Sequence, residues 1–225
     1  MLQLKATGVP QSDLILGKSE ARDGQKLLDK HFPAGSGSPA YVMAPRNTAD
    51  AVVKSVDATR GVASVSIAAT NTESGFAPVG KARSDLKKKI LDGILAKQAK
   101  SPFPIPAEAI AEKAYPFKDA RDKVVEDTVL FQVTLADAAD SPAARDTVVQ
   151  LREQLKTIDS AVLVGGITAA QYDTNQAALH DEKLIIPLIL VAITVILMLL
   201  LRSIIAPLVL LLTTVLSFGA TIGIS

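Results

Sequence analysis

The feature that most constrains this chain is the apolar run 184–225, which one charged residue, Arg202, divides in two. Residues 184–201 supply 18 apolar or small side chains. That is about the minimum for a helix that crosses a hydrocarbon core of roughly 30 Å. Residues 203–225 supply another 23. Both segments are apolar on all sides, whereas a core helix of a soluble protein usually keeps a polar face. They predict two transmembrane helices, 184–201 and 203–225, joined by a tight turn.

The position of Arg202 predicts the orientation of this hairpin. A charge at the centre of a membrane helix costs about 2.5–3.5 kcal/mol on insertion scales, so Arg202 is expected at an interface. Short positively charged loops favour the cytoplasm. The prediction is therefore a multi-pass plasma-membrane protein with a cytoplasmic Arg202 turn and with residues 1–183 outside the cytoplasm. Since residues 1–11 contain no apolar signal segment, we expect a further segment upstream and interpret the chain as a fragment.

The polar part of the chain is electrically neutral. Setting Arg202 aside, 23 basic residues stand against 23 acidic ones before the membrane segment. A nucleic-acid-binding protein needs a basic face, so this balance argues against nucleic acid as a partner. The predicted partner is the lipid bilayer, because the two apolar segments are expected to cross it. The chain contains no cysteine, which excludes disulfides and thiolate metal sites.

A strand–helix–strand unit is predicted early in the polar part. Residues 40–44 indicate a short strand, Asn47 or Thr48 is suited to cap a helix, and residues 62–68 alternate as a half-buried strand does. Four residues of the helix are predicted to face the core: Ala51, Val52, Val56 and Thr59.

The same order recurs later in the chain. Residues 128–135 alternate apolar and polar side chains, and Ser141 followed by Pro142 is typical of a helix start. Ala144, Val148, Leu151 and Leu155 follow at helical spacing, and a returning strand at 161–164 is closed by Gly165 and Gly166. Two such units predict an α+β fold, a ferredoxin-like (split βαβ) domain over residues 1–166 with helices on one face of a mainly antiparallel sheet.

The remaining polar segments are predicted as accessory elements. Residues 70–126 indicate an insertion with helices at 81–100 and 107–114 and an extended proline-rich connector at 101–106. The core side of the first of these helices is predicted to hold Leu86, Ile90, Ile94 and Leu95. A helix at 19–32 is predicted to bury Ala21, Leu27, Leu28 and Phe32.

Two connecting segments have simple interpretations. The Gly/Ser-rich loop 33–39 lacks the lysine of a phosphate-binding loop, so a connector is favoured over an anion site. Residues 167–183 contain no glycine or proline and predict a connecting helix that leads into the first span. A stiff helix would transmit movement between domain and membrane, and a passive stalk is the alternative.

No catalytic, cofactor or metal site is predicted. His31 and His180 are isolated in the sequence, and no hydrolase, metalloprotease or nucleotide-binding motif is present. The spans contain no Asp, Glu, His or Lys, so they offer no proton relay.

Small residues predict close helix packing in the second span, where Gly219 and Gly223 form a GxxxG pair. Pro187 and Pro207 are both interpreted as lying near a helix start. The structural candidates are therefore Gly165, Gly166, Arg202, Pro207, Ser217, Gly219, Ala220 and Gly223.

Several stretches together resemble the MMPL family of the resistance–nodulation–division (RND) transporters, in particular the second half of such a chain. The stretches are HFPAGSGSPA (31–40), VTLADAADS (133–141), LVGGITA (163–169), LIIPLIL (184–190) and LLLRSIIAPLVLLLTTVLSFGATIGIS (199–225). The resemblance implies a porter domain outside the membrane and two spans similar to the eighth and ninth of twelve. It also implies, as partners, the other transmembrane helices and the first porter domain of a parent transporter.

The function implied by the resemblance is proton-driven export of lipids or hydrophobic small molecules, without enzymatic activity and without a cofactor. The Asp–Tyr relay pairs of that family lie in its fourth and tenth spans, so no residue of this chain matches them. A membrane-anchored ferredoxin-like binding module without transport activity is the alternative. A membrane-embedded enzyme has no residue to support it.

Overall fold

A computed structural model of the chain describes residues 19–98, 106–201 and 204–224. The helices are α1 (Glu20–His31), α2 (Ala49–Ala58), α3 (Gly80–Gln98), α4 (Ala107–Ala114), α5 (Pro142–Ile158), α6 (Ile167–Leu201) and α7 (Ile205–Ile224). The strands are β1 (Ala40–Pro45), β2 (Val62–Thr70), β3 (Phe76–Pro78), β4 (Arg121–Asp122), β5 (Val124–Val125), β6 (Thr128–Leu135) and β7 (Leu163–Gly166). The chain forms two compact units, one extending to Tyr172 and the other from Asp173.

The strands form an antiparallel sheet, and together with the helices packed on it they make a mixed α/β unit. The strand order is β3-β2-β6-β1-β7, β4 pairs with β2, and β5 pairs with β6. Every pairing is antiparallel. The two strand–helix–strand units are present as β1-α2-β2 and β6-α5-β7. They interleave, because β6 of the second unit lies between β1 and β2 of the first.

The core lies between one face of this sheet and helices α2 and α5. On β6 the residues Val129, Phe131, Val133 and Leu135 are buried, as their alternation predicts. The four predicted core residues of α5 are fully buried: Ala144, Val148, Leu151 and Leu155. Burying each large aliphatic or aromatic side chain contributes about 1.5–3 kcal/mol, so this one-sided burial fixes the strand register.

The start of α5 follows the sequence prediction closely. The backbone N–H of Ala144 donates to Oγ of Ser141 at 3.1 Å, and Pro142 takes the first helical position. The side chain satisfies an N–H that has no partner within the helix, and proline has no N–H to lose there. This start aligns the apolar stripe of α5 with the sheet.

The two core helices are joined at the end of α2. Thr59 Oγ1 donates to Gln154 Oε1 of α5 at 2.7 Å. Gly61 has a φ of +91°, and a Cβ built there would meet Oγ1 of Thr147 on α5. Glycine is therefore required at this turn both by backbone conformation and by the closeness of α5.

An aromatic contact anchors the α3–α4 insertion. Tyr115, directly after α4, is 2% exposed and packs edge-on against Phe117 with ring centroids 5.8 Å apart. Arg83 and Lys87 of α3 lie over its ring, at 5.9 and 5.1 Å from the centroid. Helix α3 is also held at its first turn, where the backbone N–H of Lys81 donates to Oδ2 of Asp57 on α2 at 2.8 Å.

Several expectations for individual residues are wrong. Leu27 on α1 and Phe32 directly after it are 59% and 58% exposed, so neither is buried in the core. Ala51 is exposed, whereas Val52, Val56 and Thr59 are buried as predicted. Leu95 is 45% exposed, because the inward side of α3 follows Leu86, Ile90 and Ile94 and turns away at that position.

The last strand of the sheet is shifted relative to its prediction. It covers Leu163–Gly166 rather than 161–164, so Gly165 and Gly166 belong to the strand instead of following it. The side chains of Ala21 and Leu28, and residues 101–105 of the predicted connector at 101–106, lie outside the described residues.

Candidate functional site

A first question is whether the described residues bring together side chains that could hold a metal ion. Within 19–98, 106–201 and 204–224, no group of three or more His, Cys, Asp or Glu side chains could hold a metal ion. His31 and His180 are exposed on different helices, α1 and α6. The candidate features described below are a Gly/Ser-rich loop, packing positions and surfaces.

The Gly/Ser-rich loop before β1 packs against backbone carbonyl groups. A Cβ at Gly35 would lie 2.5 Å from the carbonyl oxygen of Leu135 and 2.9 Å from that of Asp137. The Ala34 N–H donates to the Ala136 carbonyl at 3.2 Å, and Ser36 Oγ donates to the Pro33 carbonyl at 2.6 Å. An anion needs N–H donors rather than carbonyl oxygens, so this geometry favours the connector interpretation.

Helix α6 contains the apolar segment that is long enough to cross a membrane. Of the described helices, Ile167–Leu200 meets the length and composition expected of a membrane span, and its apolar stretch is not buried inside the structure. The predicted connecting helix and first span are thus one helix of 35 residues. Helix α7 contains a shorter apolar stretch, Ile205–Thr214.

The interpretation of Pro187 as a residue near a helix start is wrong, because it lies in the interior of α6. Proline has no N–H, so the Lys183 carbonyl lacks its usual intrahelical donor. Apolar spans tolerate such prolines, since local helix adjustments, neighbouring side chains or water satisfy the freed carbonyl. The companion residue Pro207 does lie near a helix start, as the third residue of α7, and it is buried.

The predicted packing residues of the second span all lie on α7. Ser217 and Ala220 are exposed in this structure. Gly219 and Gly223 lie on the same helix, one turn apart, and their surroundings are outside the described part of the chain. Arg202 and Ser203, at the predicted turn, also lie outside the described residues. The packing role of these positions stays a prediction.

Gly165 and Gly166 occupy the end of β7, directly before α6 begins at Ile167. Gly166 has a φ of +113°, and a Cβ there would lie 3.0 Å from the Pro39 carbonyl oxygen and 3.1 Å from the Ala40 Cα. A Cβ at Gly165 would meet nothing within 4 Å. The two glycines therefore differ: Gly166 is required by backbone conformation and close approach, whereas Gly165 is not.

The sheet also presents a surface that the sequence did not reveal. We define the open face as the side of β7, β1, β6 and β2 opposite α2 and α5. Met43 on β1 lies directly opposite Leu130 on β6 and Leu163 on β7, which places the three side chains in one row. Met43 and Leu163 are 47% and 63% exposed, and the neighbouring Tyr41 is 38% exposed. The signal in the sequence was the apolar residues on the outward positions of these strands.

Comparison with known proteins covers nearly the whole chain. The profile of the MMPL family matches residues 18–225, which include both the sheet and the apolar helices. The chain belongs to the MMPL family.

Two curated relatives of this MMPL chain come from Streptomyces coelicolor, and their names describe them as membrane proteins. SCO0839 is 36% identical over 223 residues, which is 99% of this chain and 26% of that protein. ActII-3 is 31% identical over 223 residues, 99% of this chain and 24% of that protein. The chain spans about a quarter of the length of these relatives.

A third relative carries a functional name. The apo-petrobactin exporter of Bacillus anthracis is 33% identical over 103 residues, which is 42% of the MMPL chain and 14% of that protein. Export is thus named for one relative that aligns with part of this chain.

Proposed function

We propose that this chain is part of a proton-motive-force-driven exporter of lipids or hydrophobic small molecules. It supplies an extracytoplasmic porter domain and two structural membrane spans. The observation that carries the proposal is the MMPL match over residues 18–225, since it includes the sheet unit together with α6 and α7. The relative named as an apo-petrobactin exporter supports export of a small molecule. On this proposal the chain is a transporter part and not an enzyme.

The porter domain is proposed to be ferredoxin-like. Its two strand–helix–strand units interleave in the order β7-β1-β6-β2, with all neighbours antiparallel, and both helices α2 and α5 contribute to the same core. A split βαβ sandwich has this arrangement of two interlocked units. The order supports the ferredoxin-like interpretation of the sheet and leaves the other sheet face open to a partner.

The proton-driven step is assigned to other helices of the parent protein. Residues 184–225 contain Arg202 as their one charged residue and no Asp, Glu, His or Lys. Proton-coupled transport normally uses an ionisable group within the helix bundle. The small residues of α7, including Gly219 and Gly223, support packing against neighbouring helices. The proposed role of the spans in this chain is therefore to attach the porter domain to the helix bundle, and proton coupling takes place elsewhere in the bundle.

The test is export by the full-length protein that contains this chain. Cells expressing it are loaded with a fluorescent lipid analogue or an apolar dye, and efflux is followed with and without an uncoupler of the proton gradient. We expect efflux that stops when the uncoupler is added and continues when ATP is depleted while the gradient is held. Efflux that resists the uncoupler would overturn the proton-driven proposal.

Two glycine substitutions in the sheet domain, one expected to be disruptive and one expected to be neutral, serve as matched variants. Gly166→Ala disrupts the end of β7 and should abolish efflux at equal expression, whereas Gly93→Ala, in the exposed middle of α3 with nothing within 4 Å, should retain it. No efflux from the unmodified protein with any apolar probe would favour the alternative, a binding module without transport activity.

A further inference from the structure

A buried hydroxyl at the start of α6 has no partner within the part of the chain that the structure describes. Thr168 is the second residue of this helix and is 1% exposed, yet its Oγ1 makes no hydrogen bond to another described residue. Leaving a buried hydroxyl without a partner lowers the folding equilibrium constant about fivefold or more. Valine has nearly the same shape and avoids that cost. The threonine therefore indicates a second arrangement in which its hydroxyl is bonded.

The acceptor expected for this hydroxyl is bonded to a different side chain. A threonine in a helix commonly donates to the carbonyl four residues earlier, as Thr147 Oγ1 does to the Ala143 carbonyl at 3.0 Å. For Thr168 that carbonyl belongs to Val164 on β7, and it accepts instead from Nη2 of Arg152 on α5 at 3.2 Å. Two donors are thus available for one carbonyl group, and this structure pairs it with the arginine.

The two glycines between the carbonyl and the hydroxyl give the backbone the freedom to exchange these donors. Gly165 has no atom within 4 Å of a Cβ position, so crowding does not explain a glycine there. Glycine also lowers the cost of rotating the peptide group that joins it to Val164. Among the described strands, β7 lies at the edge of the sheet with β1 as its neighbour. The Val164 carbonyl can therefore turn away from α5 and toward the first turn of α6.

We infer that residues 164–168 form a latch with two positions and that transport uses both. In the position described above, Arg152 binds the Val164 carbonyl and the Thr168 hydroxyl is unbonded. In the second position, Arg152 releases this carbonyl and Thr168 binds it. The exchange alters how firmly the end of β7 and the start of α6 are held to α5. The use in transport rests on the proposed function, because it takes the chain as part of an exporter.

A double-mutant cycle in the solubilised full-length protein tests the latch. Thr168→Val should raise the urea midpoint for cleavage of the sheet unit by about 0.3–1 M, because it removes an unbonded buried hydroxyl. In an Arg152→Met background it should lower the midpoint by a similar amount, because it then removes the second donor for the Val164 carbonyl. Pulse proteolysis measures both shifts. As a control, Thr147→Val removes a hydroxyl that is already bonded and should lower the midpoint in both backgrounds.

Efflux by the full-length variants tests whether transport uses the latch. Thr168→Val and Gly165→Ala each favour the position in which Arg152 binds the carbonyl. Both should therefore slow efflux about fivefold or more at equal expression and without loss of stability. Thr168→Ser keeps the hydroxyl and should retain most of the efflux.

Three results would overturn the inference. A shift of the same sign for Thr168→Val in both backgrounds would mean that its hydroxyl has one fixed role, such as a bond to an internal water. A lower midpoint for Thr168→Val alone would mean the same, so the test holds even where Arg152→Met does not fold. Full efflux from a stable Thr168→Val variant would mean that transport does not use the latch.

Failure of the proposed function gives a different result, because the cycle measures stability without transport. A reversal of sign in a protein whose efflux resists the uncoupler would overturn the proton-driven proposal and support the two positions of the latch.

Discussion

Gly165 and Gly166 are adjacent residues with opposite requirements. Gly166 combines a φ of +113° with a Cβ position 3.0 Å from a carbonyl oxygen, so any side chain is both strained and crowded. Gly165 has an ordinary φ and free space around its Cα. Neighbouring glycines in one motif thus reflect different physical causes, and sequence alone gives them the same weight.

We predict that Gly166→Ala lowers the free energy of unfolding by about 2 kcal/mol or more, because the left-handed conformation and the close contact both oppose a Cβ. Gly165→Ala should raise it slightly, by about 0.5 kcal/mol, since alanine restricts the unfolded chain. Urea titration of the detergent-solubilised chain, read by pulse proteolysis, measures both. Equal effects of the two substitutions would contradict the assignment.

At the scale of elements, an aromatic contact and an ion pair hold the α3–α4 insertion, and they are expected to contribute unequally to its stability. Tyr115 is 2% exposed beneath Arg83 and Lys87. Lys87 also forms an ion pair with Glu112 at 2.9 Å, where the side chains are 37% and 66% exposed. Solvent screens an exposed pair, whereas a buried ring loses its packing outright when it is removed.

We predict that Tyr115→Ala lowers the free energy of unfolding by about 3 kcal/mol, close to the usual cost of removing a buried aromatic side chain. Glu112→Gln should change it by less than about 1 kcal/mol. The same pulse-proteolysis titration checks both, and cleavage sites within α3 and α4 should become accessible first in the tyrosine variant. A larger effect from the Glu112 substitution would mean that the ion pair, rather than the buried ring, holds the insertion.

The sequence predicted the elements whose signals are local and long enough to read. β6 alternates over eight residues, and α5 combines a capping serine with helical spacing, so both were placed correctly. Two-residue strands such as β4 and β5 have no period to detect. The apolar residues of the helix predicted at 19–32 look suited to a core, but Leu27 and Phe32 are exposed, because a helical pattern does not specify the surface against which the helix packs.

For the candidate site, the sequence identified special glycines but not the open face. The row of Met43, Leu130 and Leu163 depends on the strand order, which brings together residues up to 120 positions apart. Tyr115 was missed for the same reason, since its cationic neighbours lie on α3 across the insertion. Pairing between distant segments is set by tertiary packing, and no single segment encodes it.

At the scale of the whole molecule, the central proposal is an extracytoplasmic domain with two spans whose turn is cytoplasmic. The chain contains no cysteine, so a single introduced thiol can report the side of the membrane on which it lies. The proposed turn at Arg202 is assigned to the cytoplasm because short positively charged loops favour that side of the membrane. Two labelled positions then report the side of the membrane on which the sheet domain and the proposed turn lie.

We predict that a membrane-impermeant maleimide labels Asp92→Cys in intact cells, whereas Ser203→Cys is labelled after the membrane is permeabilised. The reason is that Asp92 lies on α3 of the sheet unit, which is proposed to lie outside the cytoplasm, whereas position 203 belongs to the proposed cytoplasmic turn. Mass-tag electrophoresis measures the labelled fraction. Labelling of Ser203→Cys in intact cells would contradict the cytoplasmic turn, and protection of Asp92→Cys would contradict the extracytoplasmic domain.

The interleaved strand order also has a consequence during biosynthesis. β1 and β2 are not neighbours, so the first strand–helix–strand unit cannot complete its sheet until β6, which ends at Leu135, has been made. β2 ends at Thr70, 65 residues earlier. At synthesis rates of about 5–20 residues per second, this unit waits about 3–13 s with its apolar strand faces exposed. We therefore expect the nascent chain to be prone to aggregation over that interval unless chaperones bind it.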